Sequence, residues 1–257
     1  VTAPSDFALH GVDVSQYQGT WQIPQLADFV ICRATFGARV DKRAVEHIEA
    51  LRKRSCKVGL YHFFADWLSV GEQTTAFLDI AARCDLAPGD LIPWIDVEDS
   101  SGKGSNPPRP SWDEKLYAVR EMIAEVHGGC GLYITQRDWS LLGKPSWVLE
   151  VPLWVAHWRT TPGVYASPGG VRPALIQYRV GPWDRGALHQ GQVNAPNAID
   201  HDLCTGALPL ILDPEVDPVL PQNPEVPEPH LFELNLTDDD WAQMRRERDQ
   251  QLKDIDR

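Results

Sequence analysis

Eight short apolar runs rich in β-branched residues punctuate this 257-residue chain as far as residue 203, and they constrain its fold more than any other feature. They fall near 10–14 (HGVDV), 28–34 (DFVICRA), 57–63 (KVGLYHF), 91–97 (LIPWIDV), 129–134 (GCGLYI), 151–157 (VPLWVAH), 173–178 (PALIQY) and 198–203 (AIDHDL). Runs this short, without polar alternation, suit strands of a parallel sheet buried on both faces. Between the early runs, apolar residues at helical spacing predict three helices. Ala44, Ile48 and Leu51 mark one over 43–53, and Thr75, Leu78, Ala81 and Ala82 mark one over 71–84. Leu116, Val119, Ile123 and Val126 mark the third over 111–126, opened by the capping signature Ser111-Trp112-Asp113-Glu114. Later connections are shorter or richer in Gly and Pro, and 180–197 has no helical period. The expected fold is α/β, an irregular (β/α) barrel resembling a TIM barrel with several helices missing in its second half.

A composition break divides the chain into a barrel over 1–212, a linker over 213–229 and a C-terminal segment over 230–257. The linker holds six prolines and five acids with no Lys or Arg, so it reads as an extended spacer of up to ~50 Å. Beyond it, Thr237-Asp238-Asp239-Asp240 starts a helix with acids in its first turn, and Leu236 with Trp241 forms a candidate staple. Its thin apolar stripe of Trp241, Met244, Leu252 and Ile255 is read either as a surface for self-association or docking, or as a solvated tail. The tail also explains the charge: residues 213–257 carry 13 acids against 5 bases, a large share of the net −12. No Lys/Arg cluster marks a phosphate-binding face, so nucleic acid is not an expected partner. No apolar run approaches the ~20 residues of a membrane span. The opening Val1-Thr2-Ala3-Pro4-Ser5-Asp6 has no signal-peptide pattern, which fits either a processed or a leaderless product. Five widely spaced cysteines without a CxxC pair read as buried thiols.

Acids interrupt three of the eight runs: Asp13 in the first, Asp96 with Glu98 at the end of the fourth, and Asp200 in the last. A carboxylate inside a sheet is costly unless it is paired, hydrogen-bonded or in a polar cleft. In a β/α barrel the carboxyl ends of the strands carry the functional groups. Asp96 and Glu98, two apart on one strand, point the same way with Cα atoms about 6.5–7 Å apart. Such a pair perturbs its own titration and suits glycoside hydrolysis, one acid protonating the leaving oxygen and a carboxylate stabilising positive charge. Taken singly, each acid reads equally as a hydrogen-bonded structural Asp or an oxygen ligand for a divalent cation. Nine of the ten tryptophans precede residue 213, including Trp67, Trp94, Trp154, Trp158 and Trp183 near strand ends, a composition that fits a saccharide groove or a core. Tyr61-His62 invites a catalytic histidine, but a buried hydrogen-bonded ring is the better reading. No nucleophile elbow, zinc motif or phosphate loop is present.

In this order the motifs resemble glycoside hydrolase family 25, the Chalaropsis-type muramidases of bacteria, fungi and phages. They are Gly11-Val12-Asp13-Val14-Ser15-Gln16-Tyr17-Gln18-Gly19, Phe29 to Thr35, Val58 to Phe63, Asp96-Val97-Glu98, Leu153 to Ala156, Gln177-Tyr178 and Ile199-Asp200. The resemblance implies hydrolysis of the β-1,4 bond between N-acetylmuramic acid and N-acetylglucosamine in peptidoglycan, with no cofactor or metal. It implies Glu98 as general acid, Asp96 as the group that stabilises or orients an attacking substrate acetamido group, and Asp13 and Asp200 as shapers of the field. Arg33, Tyr61, Tyr133, Trp154, Gln177 and Tyr178 are the implied substrate-binding residues. Three positions depart from the pattern: Ile176 where a Trp often precedes Gln-Tyr, Gln136 for an aromatic, and Asp202 for an Asn, which adds a charge near Asp200. The resemblance leaves retaining and inverting outcomes open. The expected place of action is the cell wall, for a secreted enzyme or a phage endolysin or particle lysin. Two rival readings are a non-catalytic wall-binding or structural subunit and a chitinase-like enzyme, although the longer acidic motif of chitinases is absent.

Overall fold

The computed structural model describes residues 7–18, 27–54, 56–99, 105–156, 167–181 (backbone alone for 179–181) and 199–213. Trp158, Trp183, the linker beyond Asp213 and the expected C-terminal helix lie outside the described residues. Each of the eight apolar runs becomes a strand: β1 (Leu9–Val14), β2 (Phe29–Phe36), β4 (Lys57–Phe63), β5 (Trp94–Val97), β6 (Gly131–Ile134), β7 (Leu153–Ala156), β8 (Leu175–Gly181) and β9 (Ile199–Cys204). A two-residue strand, β3 (Arg39–Val40), folds back on β2. The eight close on themselves, because β1 pairs with both β2 and β9. From β1 to β8 all neighbours along the barrel run parallel. The last strand differs from the parallel expectation: β9 is antiparallel to β8 and β1 alike. An apolar run carries no sign of its own direction, so only the structure reveals this reversal.

The three predicted helices form as α1 (Ala44–Arg52), α2 (Val70–Arg83) and α3 (Asp113–His127). A capping box starts α2: the Ser69 hydroxyl accepts from Glu72 N–H, and the Glu72 carboxylate accepts from Ser69 N–H at 2.9 Å. The capping signature expected for α3 is not used. Residues 110–112 form a 3-10 turn instead, and Asp113 accepts a hydrogen bond from the Trp147 indole at 2.7 Å. A fourth, unpredicted helix of six residues, α4 (Gln136–Leu141), follows β6. Among the described residues the later connections hold only 3-10 turns, at 146–150 and 168–170.

Alternation along each strand sorts side chains between two cores. Val12, Val30, Leu60, Ile95, Leu132, Val155 and Ile176 face outward and pack under the helices. Phe29, Ile31, Trp94, Trp154 and Leu175 fill the barrel from within. Gly11 and Gly131 make that filling possible, since a Cβ there would stand 2.3 Å from the Phe29 ring and 2.4 Å from the Trp94 ring. The chain after β9 closes the floor at the amino end of β5. Leu210 bridges Leu91, Ile92 N–H donates to Pro209 at 2.9 Å, and Ile211 joins the interior core. Each large side chain so buried contributes roughly 1.5–3 kcal/mol, and together they offset the cost of the polar layer above. The five cysteines are free thiols, four of them buried. Among the described residues no helix is long and apolar enough to cross a membrane.

Candidate active site

Above the apolar floor, every barrel strand turns a polar or aromatic side chain inward. The wall is built from Asp13 on β1, Arg33 on β2, Tyr61 on β4, Asp96 on β5, Tyr133 on β6, Trp154 on β7, Gln177 on β8, and Asp200 with Asp202 on β9. Because β9 runs backward, its first residues lie level with the carboxyl ends of the other strands, and Asp200 pairs directly across from Asp13. Glu98 stands just beyond the end of β5, half-buried at the mouth. A relay crosses the interior: Tyr133 O–H donates to Gln177 Oε1 at 3.0 Å, and Gln177 Nε2–H donates to Asp13 Oδ2 at 2.7 Å. The Trp154 indole N–H donates to Asp202 at 2.8 Å, and its ring meets those of Tyr61, Trp94 and Tyr133 edge-on. Arg33 is held by Asp41 at 3.1 Å, with its guanidinium over the exposed Tyr17 ring.

Burial dominates the electrostatics of this layer. It pushes the Glu98 carboxyl up to about 7, helped by the acids Asp138 and Asp99. Asp96 is raised well above the usual carboxylate range by burial and then by Glu98 and Asp13, while Arg33 pulls against them. Burial and the neighbouring Asp13 and Glu98 push Asp200 up to about 8. Asp96 and Glu98 therefore titrate as a coupled pair. Acids around Glu98 favour the proton there, and the Arg33 cation favours the charge on Asp96. One Asp96 oxygen, Oδ1, is buried with no hydrogen-bond partner among the described residues, so it is free to accept from a bound molecule. Both carboxyls are raised, so the cleft offers a proton donor in Glu98 beside a buried acceptor oxygen on Asp96, which acid-assisted bond cleavage can use.

The sequence profile of Glycosyl hydrolases family 25 matches residues 12–179, the span that supplies all of this wall except β9. The chain belongs to glycosyl hydrolases family 25. Its barrel superimposes on a family 25 glycosyl hydrolase from Bacillus anthracis with a TM-score of 0.64 and 26% identity, covering 78% of this chain and 90% of that one. A muramidase from Acremonium alcalophilum (TM-score 0.63, 18% identity, 77% and 94% covered) shares the fold. So does a bacterial lysozyme from Streptomyces coelicolor (TM-score 0.61, 20% identity, 77% and 93% covered). In sequence, the uncharacterized protein YegX of Escherichia coli K12 is 26% identical over 171 residues, 62% of this chain; the match spans 59% of YegX.

Within this family 25 barrel, nine of the ten residues singled out from the sequence gather at the interior or its mouth. Tyr178 does not. It lies in the outer layer, its ring 6.1 Å from that of His201, because its neighbour Gln177 takes the inward position. Ile176 also faces outward, so the departure there removes no sugar platform. His62 is fully buried outside the barrel wall between Thr35 (2.7 Å) and Gln73 (3.2 Å). Gln73 Oε1 also accepts from Ala65 N–H, so His62 Nε2 donates to it and Nδ1 accepts from Thr35. Burial lowers this histidine to about 4, which keeps it neutral and structural. The sequence reading missed Asp138, which α4 brings to bear on Glu98; its readable signal was Thr135-x-x-Asp138, a helix start after β6. It also missed the clamp on the segment after Glu98, where Asp66 accepts from Asn106 at 2.7 Å and Arg109 at 2.5 Å.

Proposed function

We propose that this chain is a muramidase that hydrolyses the β-1,4 bond between N-acetylmuramic acid and N-acetylglucosamine in bacterial peptidoglycan, acting on the cell wall. The observation that carries the reading is the Asp96–Glu98 pair at the carboxyl end of β5, with Glu98 held near neutrality and Asp96 aimed inward with a free oxygen. In this mechanism Glu98 donates its proton to the glycosidic oxygen as the C1–O bond breaks. Asp96 accepts the N–H of the substrate acetamido group, whose carbonyl oxygen then closes on C1. Water later delivers hydroxide to C1, and its proton returns to Glu98. Asp13 and Asp200 line the opposite wall, while Tyr61, Tyr133 and Trp154 offer ring faces and edges for sugars. Support comes from family membership and from the likeness to the Bacillus anthracis enzyme.

The test is mass spectrometry of soluble fragments released from purified peptidoglycan by the wild type and by Glu98→Gln. Muropeptides ending in reducing N-acetylmuramic acid, from the wild type alone, are expected. Release ending in N-acetylglucosamine would reassign the bond. No release from either protein would favour a non-catalytic wall-binding role.

A further inference from the structure

We propose that Asp13 and Asp202 form a carboxylic acid–carboxylate pair that keeps one proton between them at neutral pH, so the floor of the site carries one negative charge where the sequence counts two. The sheet dictates their meeting. Asp202 on β9 sits opposite Gly11 of β1 on one side and opposite Gln177 of β8 on the other. Asp13, two residues on from Gly11 and paired with Asp200 of the same strand β9, faces the same interior, and each of the two carboxyls bears directly on the other's titration. Asp202 is fully buried and Asp13 nearly so. Among the described residues each receives one neutral donor: the Trp154 indole for Asp202 at 2.8 Å and the Gln177 amide for Asp13 at 2.7 Å. The other Asp202 oxygen, Oδ2, is buried without a donor among the described residues.

Among the described residues no other group facing the pair supplies a balancing charge. Asp200 presses on Asp202 from its own strand, and Glu98 presses on Asp13 across the barrel. Asp96, Tyr61 and Tyr133 complete the wall, and the one interior cation named there, Arg33, is engaged by Asp41. Two mutually repelling carboxylates, shielded from water and met by neutral donors, do not both ionise. A retained proton turns their repulsion into a charge-assisted O–H···O bond and gives the orphaned Asp202 oxygen its partner. The polar chain is then complete from Tyr133 through Gln177, Asp13 and Asp202 to Trp154. The charge that Asp202 adds in the sequence is thereby cancelled in the fold. The burial that isolates both groups also raises their affinity for protons.

The proton is independent of the muramidase reading; its consequence for catalysis, a field at Glu98 set by one charge beneath it, rests on that reading. Infrared difference spectroscopy of the full chain at neutral pH, wild type minus each variant, tests it without turnover and cancels the carboxyls common to both. The expected result is a protonated-carboxyl C=O component that shifts in D2O and is present in the wild type but missing from Asp202→Asn. Asp13→Asn should lose the same band, and it carries the test if Asp202→Asn does not fold. A wild type without such a band, or one unchanged in the folded variants, overturns the proposal. Failure of peptidoglycan cleavage with the band present would leave the pair standing and remove only the muramidase reading.

Discussion

At the scale of single residues, the site trades stability for function through burial of acids. Glu98 must hold a proton to act, so activity is expected to fall as pH rises through about 7; a pH–rate profile of muropeptide release checks this. Glu98→Gln should lower turnover by roughly 10²- to 10⁴-fold with an unchanged circular dichroism spectrum. Asp200 gives a complementary prediction. Its folded-state pKa of about 8 lies above the ordinary aspartate value of 3.8, so the folded state gains protons relative to the unfolded one. Its contribution is fully present below that lower value and is lost as pH rises through about 8. Asp200→Asn should therefore stabilise the protein at neutral pH, flatten that slope in thermal melts, and reduce activity. The sequence made these acids visible because charge inside an apolar run is anomalous. It did not separate Gln177 from Tyr178. Both flanks of a barrel strand are buried, so period-two alternation says that one of the two faces inward but not which.

Elements decide how the acids feel one another. The six-residue α4 places buried Asp138 beside Glu98 and fixes it through the Thr135 hydroxyl at 2.5 Å. Asp138→Asn should move the basic limb of the pH–rate profile toward acid by up to about one unit, leaving the fold intact; an unmoved limb would remove Asp138 from the electrostatics of the site. A helix this short has too few turns for an apolar period to register, so the cap Thr135-x-x-Asp138 is the sign of α4 in the sequence. The longer α1, α2 and α3 were read to within two residues, since their apolar stripes repeat over several turns. Strand β9 was found but not its direction, because orientation depends on which end of the barrel the preceding connection spans.

For the whole molecule, the division of labour is vertical: apolar rings below, acids above, and the segment after Cys204 sealing the base. Ile211 belongs to that seal through backbone hydrogen bonds with Asp90 and Gly89, and Leu210 through its bridge to Leu91 and interior packing. A chain ended after Asp213 should keep its melting temperature and its hydrolysis of soluble fragments. Ending it after Gly206 should lower the melting temperature by several degrees, since even ~1 kcal/mol shifts a domain of this size by roughly 2–4 °C. The closed sheet has a kinetic corollary. The seam between β1 and β9 joins residues near opposite ends of the described barrel, so its formation carries the largest loop-closure entropy and comes late in folding. Asp13 and Asp200 face each other across that seam. Refolding therefore meets its electrostatic opposition at the step that is already slowest, and alkaline conditions should retard folding more than they hasten unfolding.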